Sequence, residues 1–287
     1  MFSLAQVTTA DNLILSGLFR EGDKKKPLVI HIHGFEGDFY THKFVHTIDT
    51  ALAEENIGLV SIQTRGTASD NLFKLANGDW KRYGAHFELH EDAHKDIDAW
   101  IEFAKKQGYS GVILHGHSLG TMKSVRYLFE GKYPEFVKKL VLLAPFDNIY
   151  MAKSYTTKKW RENLMIAKAK VIEGKGEEIM PKEFWDIELS YQTYVTWLDD
   201  NDLTHMFDFH DKNCAFPILR QIKIPVFVAA GSKDTFFHGS NPKHMDEAIE
   251  ILRKNINTFE GHLIEGSEHS FIGFEDQVSK LVQAFVK

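Results

Sequence analysis

Three residues far apart in the chain, Ser118, Asp234 and His269, are of the types that together cleave a carboxyl bond. A serine hydroxyl is a poor nucleophile at neutral pH. It needs a base within hydrogen-bond reach, and the base needs an orienting acid. Ser118 sits in Gly116-His117-Ser118-Leu119-Gly120, between the apolar run 111–115 and a helix-like stretch 121–130. Strand, G-x-S-x-G, helix is the setting in which this pentapeptide forms a nucleophile elbow, a sharp turn that strains the serine backbone and exposes its hydroxyl above a sheet. Larger side chains at the flanking glycines would collide with the neighbouring strand and helix. A chain with 20 glycines can produce the pentapeptide by chance, so its partners must decide.

Such a serine is served in the chain order serine, acid, histidine. The strand-like Val226-Phe-Val-Ala-Ala230 runs into Gly231-Ser-Lys-Asp234, which puts Asp234 at a strand's carboxyl end. The next strand-like run, 258–264, leads into Glu265-Gly-Ser-Glu-His269, just before the last helix. Asp147, after the strand-like 139–144, is the competing acid and ranks below Asp234. Glu268 is adjacent to the histidine and badly placed to orient its ring, and His262 lies inside a strand. Acyl transfer also needs donors for an oxyanion, and removing one can cost on the order of 3–4 kcal/mol of transition-state stabilisation. The residue after the nucleophile supplies one, the Leu119 N–H, where the helix adds its positive end. The loop His33-Gly34-Phe35-Glu36-Gly37 follows the apolar run 28–33, and its glycines allow close backbone approach, which makes the Phe35 N–H the second donor.

The elements that must hold these residues alternate. Strand patterns at 13–20, 28–33, 58–63, 111–115 and 139–144 are interleaved with helical patterns at 43–56, 91–106 and 121–130. This βαβα rhythm predicts an α/β fold, a doubly wound and mostly parallel sheet covered by helices on both faces. The rhythm stops between Pro145 and about Pro217, where the chain is helical and rich in rings, Tyr150, Tyr155, Trp160, Trp185, Tyr194, Trp197 and Phe209 among them. It resumes at 224–230 and ends in a helix from about Glu275. The expected organisation is therefore a core of 1–145 and 218–287 with a helical lid, 146–217, at the strands' carboxyl ends, where open α/β sheets bind ligands.

The 287 residues suffice for one large core. A hydrophobic content of 43% with 26% charged residues is that of a globular enzyme. A net charge of -6 argues against a nucleic-acid surface. No apolar run approaches the roughly 18 residues of a membrane span, and the N-terminal segment lacks the basic start of a secretion signal. A single cysteine, Cys214, excludes an intrachain disulfide and suits a cytoplasmic setting. A homodimer is compatible with all of this.

With these motifs in place, the chain resembles the α/β-hydrolase fold serine hydrolases over 13–287. The resemblance is carried by His33-Gly34-Phe35, Gly116-His117-Ser118-Leu119-Gly120, Gly231-Ser-Lys-Asp234 and Glu268-His269-Ser270-Phe271. Gln63-Thr-Arg65-Gly66 stands where related enzymes carry an Arg-Gly turn with an acid two residues before the arginine, and Gln63 departs from that pattern. A weaker similarity, through Phe87-Glu-Leu-His-Glu-Asp-Ala93 and Asp96-Ile-Asp-Ala-Trp100, is to a group that includes fungal siderophore-ester hydrolases. It assigns no substrate. Family membership implies hydrolysis of small-molecule carboxylic esters through an acyl-enzyme, with small to medium apolar or aromatic acyl groups, and no cofactor. Thioesterase and amidase chemistry use the same residues. A non-catalytic ligand-binding scaffold is the reading from another class. A third arises from His90-Glu91-Asp92-Ala93-His94, which satisfies the zinc-protease pattern H-E-x-x-H with two histidines expected on one helical face. No third ligand stands at a characteristic spacing, so the expectation is no metal.

Overall fold

A computed structural model describes residues 2–287 except Phe146, 156–158, Asp186, Asp200, Lys212 and 239–241; the side chains of 153–155, His238 and 242–244 are likewise outside it. The strands are β1 (Ser3–Thr8), β2 (Ile14–Arg20), β3 (Leu28–Ile32), β4 (Leu59–Ile62), β5 (Asn71–Lys74), β6 (Trp80–Tyr83), β7 (Val112–His117), β8 (Val137–Leu143), β9 (Val226–Gly231) and β10 (Phe259–Ile264). The helices are α1 (Lys43–Glu54), α2 (Ala93–Lys106), α3 (Leu119–Glu130), α4 (Asn148–Tyr155), α5 (Trp160–Ile172), α6 (Tyr191–Leu198), α7 (Pro217–Gln221), α8 (Thr235–His238), α9 (Pro242–Asn255) and α10 (Glu275–Val286). Among the described residues, eight strands form one sheet in the order β1-β2-β4-β3-β7-β8-β9-β10. β2 runs antiparallel to β1 and β4, and every pairing from β4 to β10 is parallel.

The sheet is covered on both faces, as the rhythm predicts. Successive strand residues point to opposite sides, so Ile30, Leu114 and Leu140 meet α2 and α3 while Val29, Ile113 and Val141 meet α1 and α10. The central strands are buried along their whole length, which explains why they read as unbroken apolar runs. Trp100 on α2 is fully buried and packs against the backbone of Gly17 on β2. Removing a ring in that position costs about 3–5 kcal/mol.

Two features were absent from the sequence reading. β1 is an edge strand whose residues are mostly exposed, so it lacks the apolar signal of its neighbours. The β5–β6 hairpin lies outside the main sheet and is four residues per strand, too short for periodicity to register. Between β8 and β9 the chain runs through α4 to α7, where the βα rhythm stops. No helix among the described residues is long and apolar enough to cross a membrane.

Candidate active site

Ser118 joins β7 to α3 with φ 53° and ψ -125°. This left-handed φ in a non-glycine residue stores strain, on the order of 1–3 kcal/mol, and persists only because the surroundings enforce it. The Ser118 N–H donates to the Leu143 carbonyl on β8 at 2.9 Å, and its own carbonyl accepts from the Thr121 N–H and hydroxyl. A Cβ on Gly120 would lie 2.2 Å from the Ile32 carbonyl oxygen, and one on Gly116 2.3 Å from the Gly120 oxygen. Those backbones approach too closely for any side chain.

The loop after β3 lies directly against this turn. A Cβ on Gly34 would fall 2.8 Å from the Ser118 Cβ. His33 braces the loop: its Nδ1 bonds the Gly34 carbonyl at 2.8 Å, and its Nε2 meets the Thr67 and Thr64 hydroxyls at 2.9 and 3.1 Å. Complete burial holds the His33 imidazole down to about 3, so it stays neutral and Nδ1–H is the donor. Glu36, with φ 53°, ties the loop outward by accepting from Ser69 and His86. Among the described residues, the backbone N–H groups of Phe35 and Leu119 meet no acceptor.

Asp234 and His269 come together. His269 Nδ1 donates to Asp234 Oδ2 at 2.8 Å, and Asp234 Oδ1 accepts the N–H groups of Phe236 and Phe237. Asp234 is 1% exposed, so its lone pairs have no competing water. His117, the residue before Ser118, reaches the same loop: its Nε2–H donates to the His269 carbonyl at 3.0 Å, and the two rings lie 5.0 Å apart. Burial keeps the His117 imidazole well below its ordinary value, so it remains a neutral donor.

The other acid has a different partner. Asp147 is buried and accepts from the N–H groups of Tyr150 and Phe209 and from His210 Nδ1 at 3.1 Å. It binds the start of α4 to the segment around Phe209. His262 on β10 pairs with Glu260 at 2.8 Å. Cys214 is half-buried, and burial raises its thiol's pKa.

Arg65 finds its acids elsewhere than two residues upstream. Its guanidinium is fully buried and bonds Asp96, Asp11 and Asp92, with Asp96 also accepting the Arg65 N–H. Gln63 instead pairs its side chain with the Ser16 N–H on β2. Beside this cluster, Lys123 and Glu88 form a buried ion pair at 2.6 Å. Neither pairing had a local signal, because each joins residues about 30 or more positions apart.

The H-E-x-x-H segment does not present two histidines on one helical face. A 3-10 turn spans His90–Asp92, and α2 begins at Ala93. The His90 ring packs on Trp197, while His94 bonds the Glu91 carbonyl. Among the described residues no three His, Cys, Asp or Glu side chains are grouped to hold a metal.

The rings of the 148–221 region mostly meet one another. Trp185 packs on Tyr194 and Trp197, and Phe209 on Phe207, Phe216 and Phe237. Trp197 reaches the Phe35 ring edge-on, with centroids 5.3 Å apart. Phe146 and the Tyr155 side chain lie outside the described residues.

The fold is shared with solved structures. Est1E from Butyrivibrio proteoclasticus, with ferulic acid bound, aligns over 98% of this chain and 97% of its own, with a TM-score of 0.65 and 17% identity. A soluble variant of monoglyceride lipase from Saccharomyces cerevisiae, in complex with a substrate analogue, aligns over 98% and 94%, with a TM-score of 0.65 and 13% identity. The alpha/beta hydrolase GrgF from a Penicillium species aligns over 99% and 96%, with a TM-score of 0.68 and 14% identity. No curated protein sequence matches. The family model described as "Protein of unknown function (DUF1749)" matches residues 7–282. The structure has the α/β-hydrolase fold, and the chain belongs to the family that this model describes.

Proposed function

We propose that the protein is a serine hydrolase that cleaves carboxylic esters through an acyl-enzyme. The observation that carries the reading is the His269–Asp234 hydrogen bond, formed at two strand ends in the fold that holds Ser118 strained at a third. Ser118 attacks the carbonyl carbon as His269 takes its proton. Asp234 holds the imidazole in the tautomer whose Nε2 is free to accept, and stabilises the imidazolium that forms. The Phe35 and Leu119 N–H groups bind the oxyanion. His269 then protonates the leaving alkoxide, and water repeats the sequence to release the acid. His33 and His117 act through others: one shapes the oxyanion loop, the other anchors the loop of the base.

That one fold neighbour is an esterase and another a monoglyceride lipase supports acyl hydrolysis as the reaction class. Residues 146–217 serve as a cap on the core formed by 1–145 and 218–287, and the Phe35–Trp197 contact is where cap and oxyanion loop meet. Thioesters and amides are the alternative substrates of the same residues.

A fluorophosphonate probe tests the proposal. Wild-type protein is expected to be labelled at Ser118 and to hydrolyse p-nitrophenyl acetate, and Ser118→Ala to do neither. A Ser118→Ala variant that hydrolyses the ester at the wild-type rate sinks the reading.

A further inference from the structure

A groove of about 710 Å³ opens beside His269, between the segments that follow β9 and β10. Small-molecule sites commonly span about 300–1,000 Å³, so it has room for a substrate group of many atoms. Lys233 and Phe236 line it from the segment after β9. His269 lines it from the segment after β10, together with Glu268 and Ile272.

Two large apolar side chains stand open to water in this groove. The Phe236 ring lies 4.8 Å from the His269 ring and is 38% exposed. Its backbone is fixed, because the Phe236 N–H donates to Asp234 Oδ1 at 2.9 Å. The acid that orients the base therefore also holds the phenyl ring against it. Ile272, on the segment of His269, is 80% exposed. An apolar ligand group seated here removes both from water, which is favourable. Lys233 and Glu268 are one cation and one anion, both exposed, so the groove favours neither sign of charge.

The position of the groove says which side of the ester it takes. The oxyanion donors follow β3 and β7, whereas the groove lies at the ends of β9 and β10, towards the far edge of the sheet. When the tetrahedral intermediate collapses, the carbon–oxygen bond breaks and its electron pair goes to the leaving oxygen. That oxygen takes the proton from His269, and the acyl group stays on Ser118 Oγ. The leaving oxygen must then lie within hydrogen-bond reach of His269. The group it carries departs beside that ring, where Phe236 and Ile272 stand.

We propose that this groove is the leaving-group subsite, that it takes an uncharged alcohol with an apolar or aromatic body, and that Phe236 is its specificity-determining residue. The proposal rests on the hydrolase reading, because it takes His269 to protonate the leaving oxygen. It narrows the substrate class on the alcohol side and leaves the acyl side to other residues.

Phenethyl acetate against ethyl acetate tests this, because the acyl group is the same and the two alkoxides are of similar basicity. Released acid is followed by pH-stat titration. Wild-type kcat/KM is expected to favour the phenethyl ester by about tenfold or more, the scale on which an apolar pocket discriminates. Phe236→Ala should bring that ratio close to one, and Ile272→Ala should lower it part of the way. Ethyl phenylacetate against ethyl acetate moves the phenyl group to the acyl side, and Phe236→Ala should leave that ratio within about twofold of wild type. Each ratio is read within one protein, so a general loss of activity cancels. Protein that is labelled at Ser118 by the fluorophosphonate yet hydrolyses phenethyl and ethyl acetate equally, or not at all, overturns the subsite. So does a Phe236→Ala variant that keeps the full alcohol preference, or one that shifts the acyl ratio instead. Protein that is neither labelled nor active on any of the esters overturns the hydrolase reading and the subsite with it.

Discussion

His269 Nδ1 lies 2.8 Å from Asp234 Oδ2, on an acid that is 1% exposed and otherwise committed to two backbone N–H groups. The carboxylate therefore faces one imidazole, in a setting dry enough for the hydrogen bond to fix its tautomer. Asp147, equally buried after the neighbouring strand, faces His210 instead.

The two acids separate by substitution. Asp234→Asn should lower kcat by roughly three to four orders of magnitude, because the amide favours the wrong tautomer of His269. Asp147→Asn should leave kcat within a few-fold. Its effect falls on stability, since an amide nitrogen would face the Phe209 N–H or His210 and leave a buried donor unmet, at a cost on the order of 1–3 kcal/mol. Steady-state kinetics and urea denaturation of both variants give the answer. A large kcat loss in Asp147→Asn with little in Asp234→Asn would reverse the assignment.

Arg65 is a structural keystone in this arrangement. Arg65→Met should destabilise the protein by roughly 3–5 kcal/mol, because Asp96, itself fully buried, is left without its cation. Arg65→Lys should recover only part of this, since an ammonium cannot reproduce the guanidinium fork that meets Asp96 and Asp11 together. The urea midpoints of the two variants check the order. A Met variant as stable as wild type would mean that the cluster contributes nothing.

Acid should weaken the fold in a defined window. Burial holds His33 and His115 down to about 3, against an ordinary value of 6.5. The unfolded chain takes up protons near pH 6.5 that the native chain refuses until about pH 3. The unfolded state then binds more protons, so the stability is fully present above 6.5 and is lost as pH falls from there towards 3. Each such histidine contributes a slope on the order of 1.4 kcal/mol per pH unit. His31 and His115 share one Nδ1···Nδ1 hydrogen bond of 2.8 Å on adjacent strands, in which one ring donates and the other accepts. Replacing both with Leu should flatten the fall in Tm between pH 6.5 and 4.5. A slope unchanged from wild type would refute the attribution.

The sequence by itself determined the central strands of the sheet, because parallel strands there are buried on both faces and must be apolar throughout, while helices such as α2 must carry a stripe. It also marked the elbow, where Gly116 and Gly120 are required by backbone approach rather than by any distant partner. It named Asp234 and His269 from their positions after β9 and β10, and those parallel neighbours bring the two residues together. The tertiary structure alone decided everything that depends on contacts across long separations. Arg65 turns to Asp96, Asp11 and Asp92 while Gln63 serves β2, and Lys123 and Glu88 meet in the interior. The 3-10 turn at His90–Asp92 takes His90 away from His94 and onto Trp197. Local spacing carries no trace of these partners, because a buried charge or imidazole is satisfied by whatever the fold brings within about 3 Å, and that is set by packing.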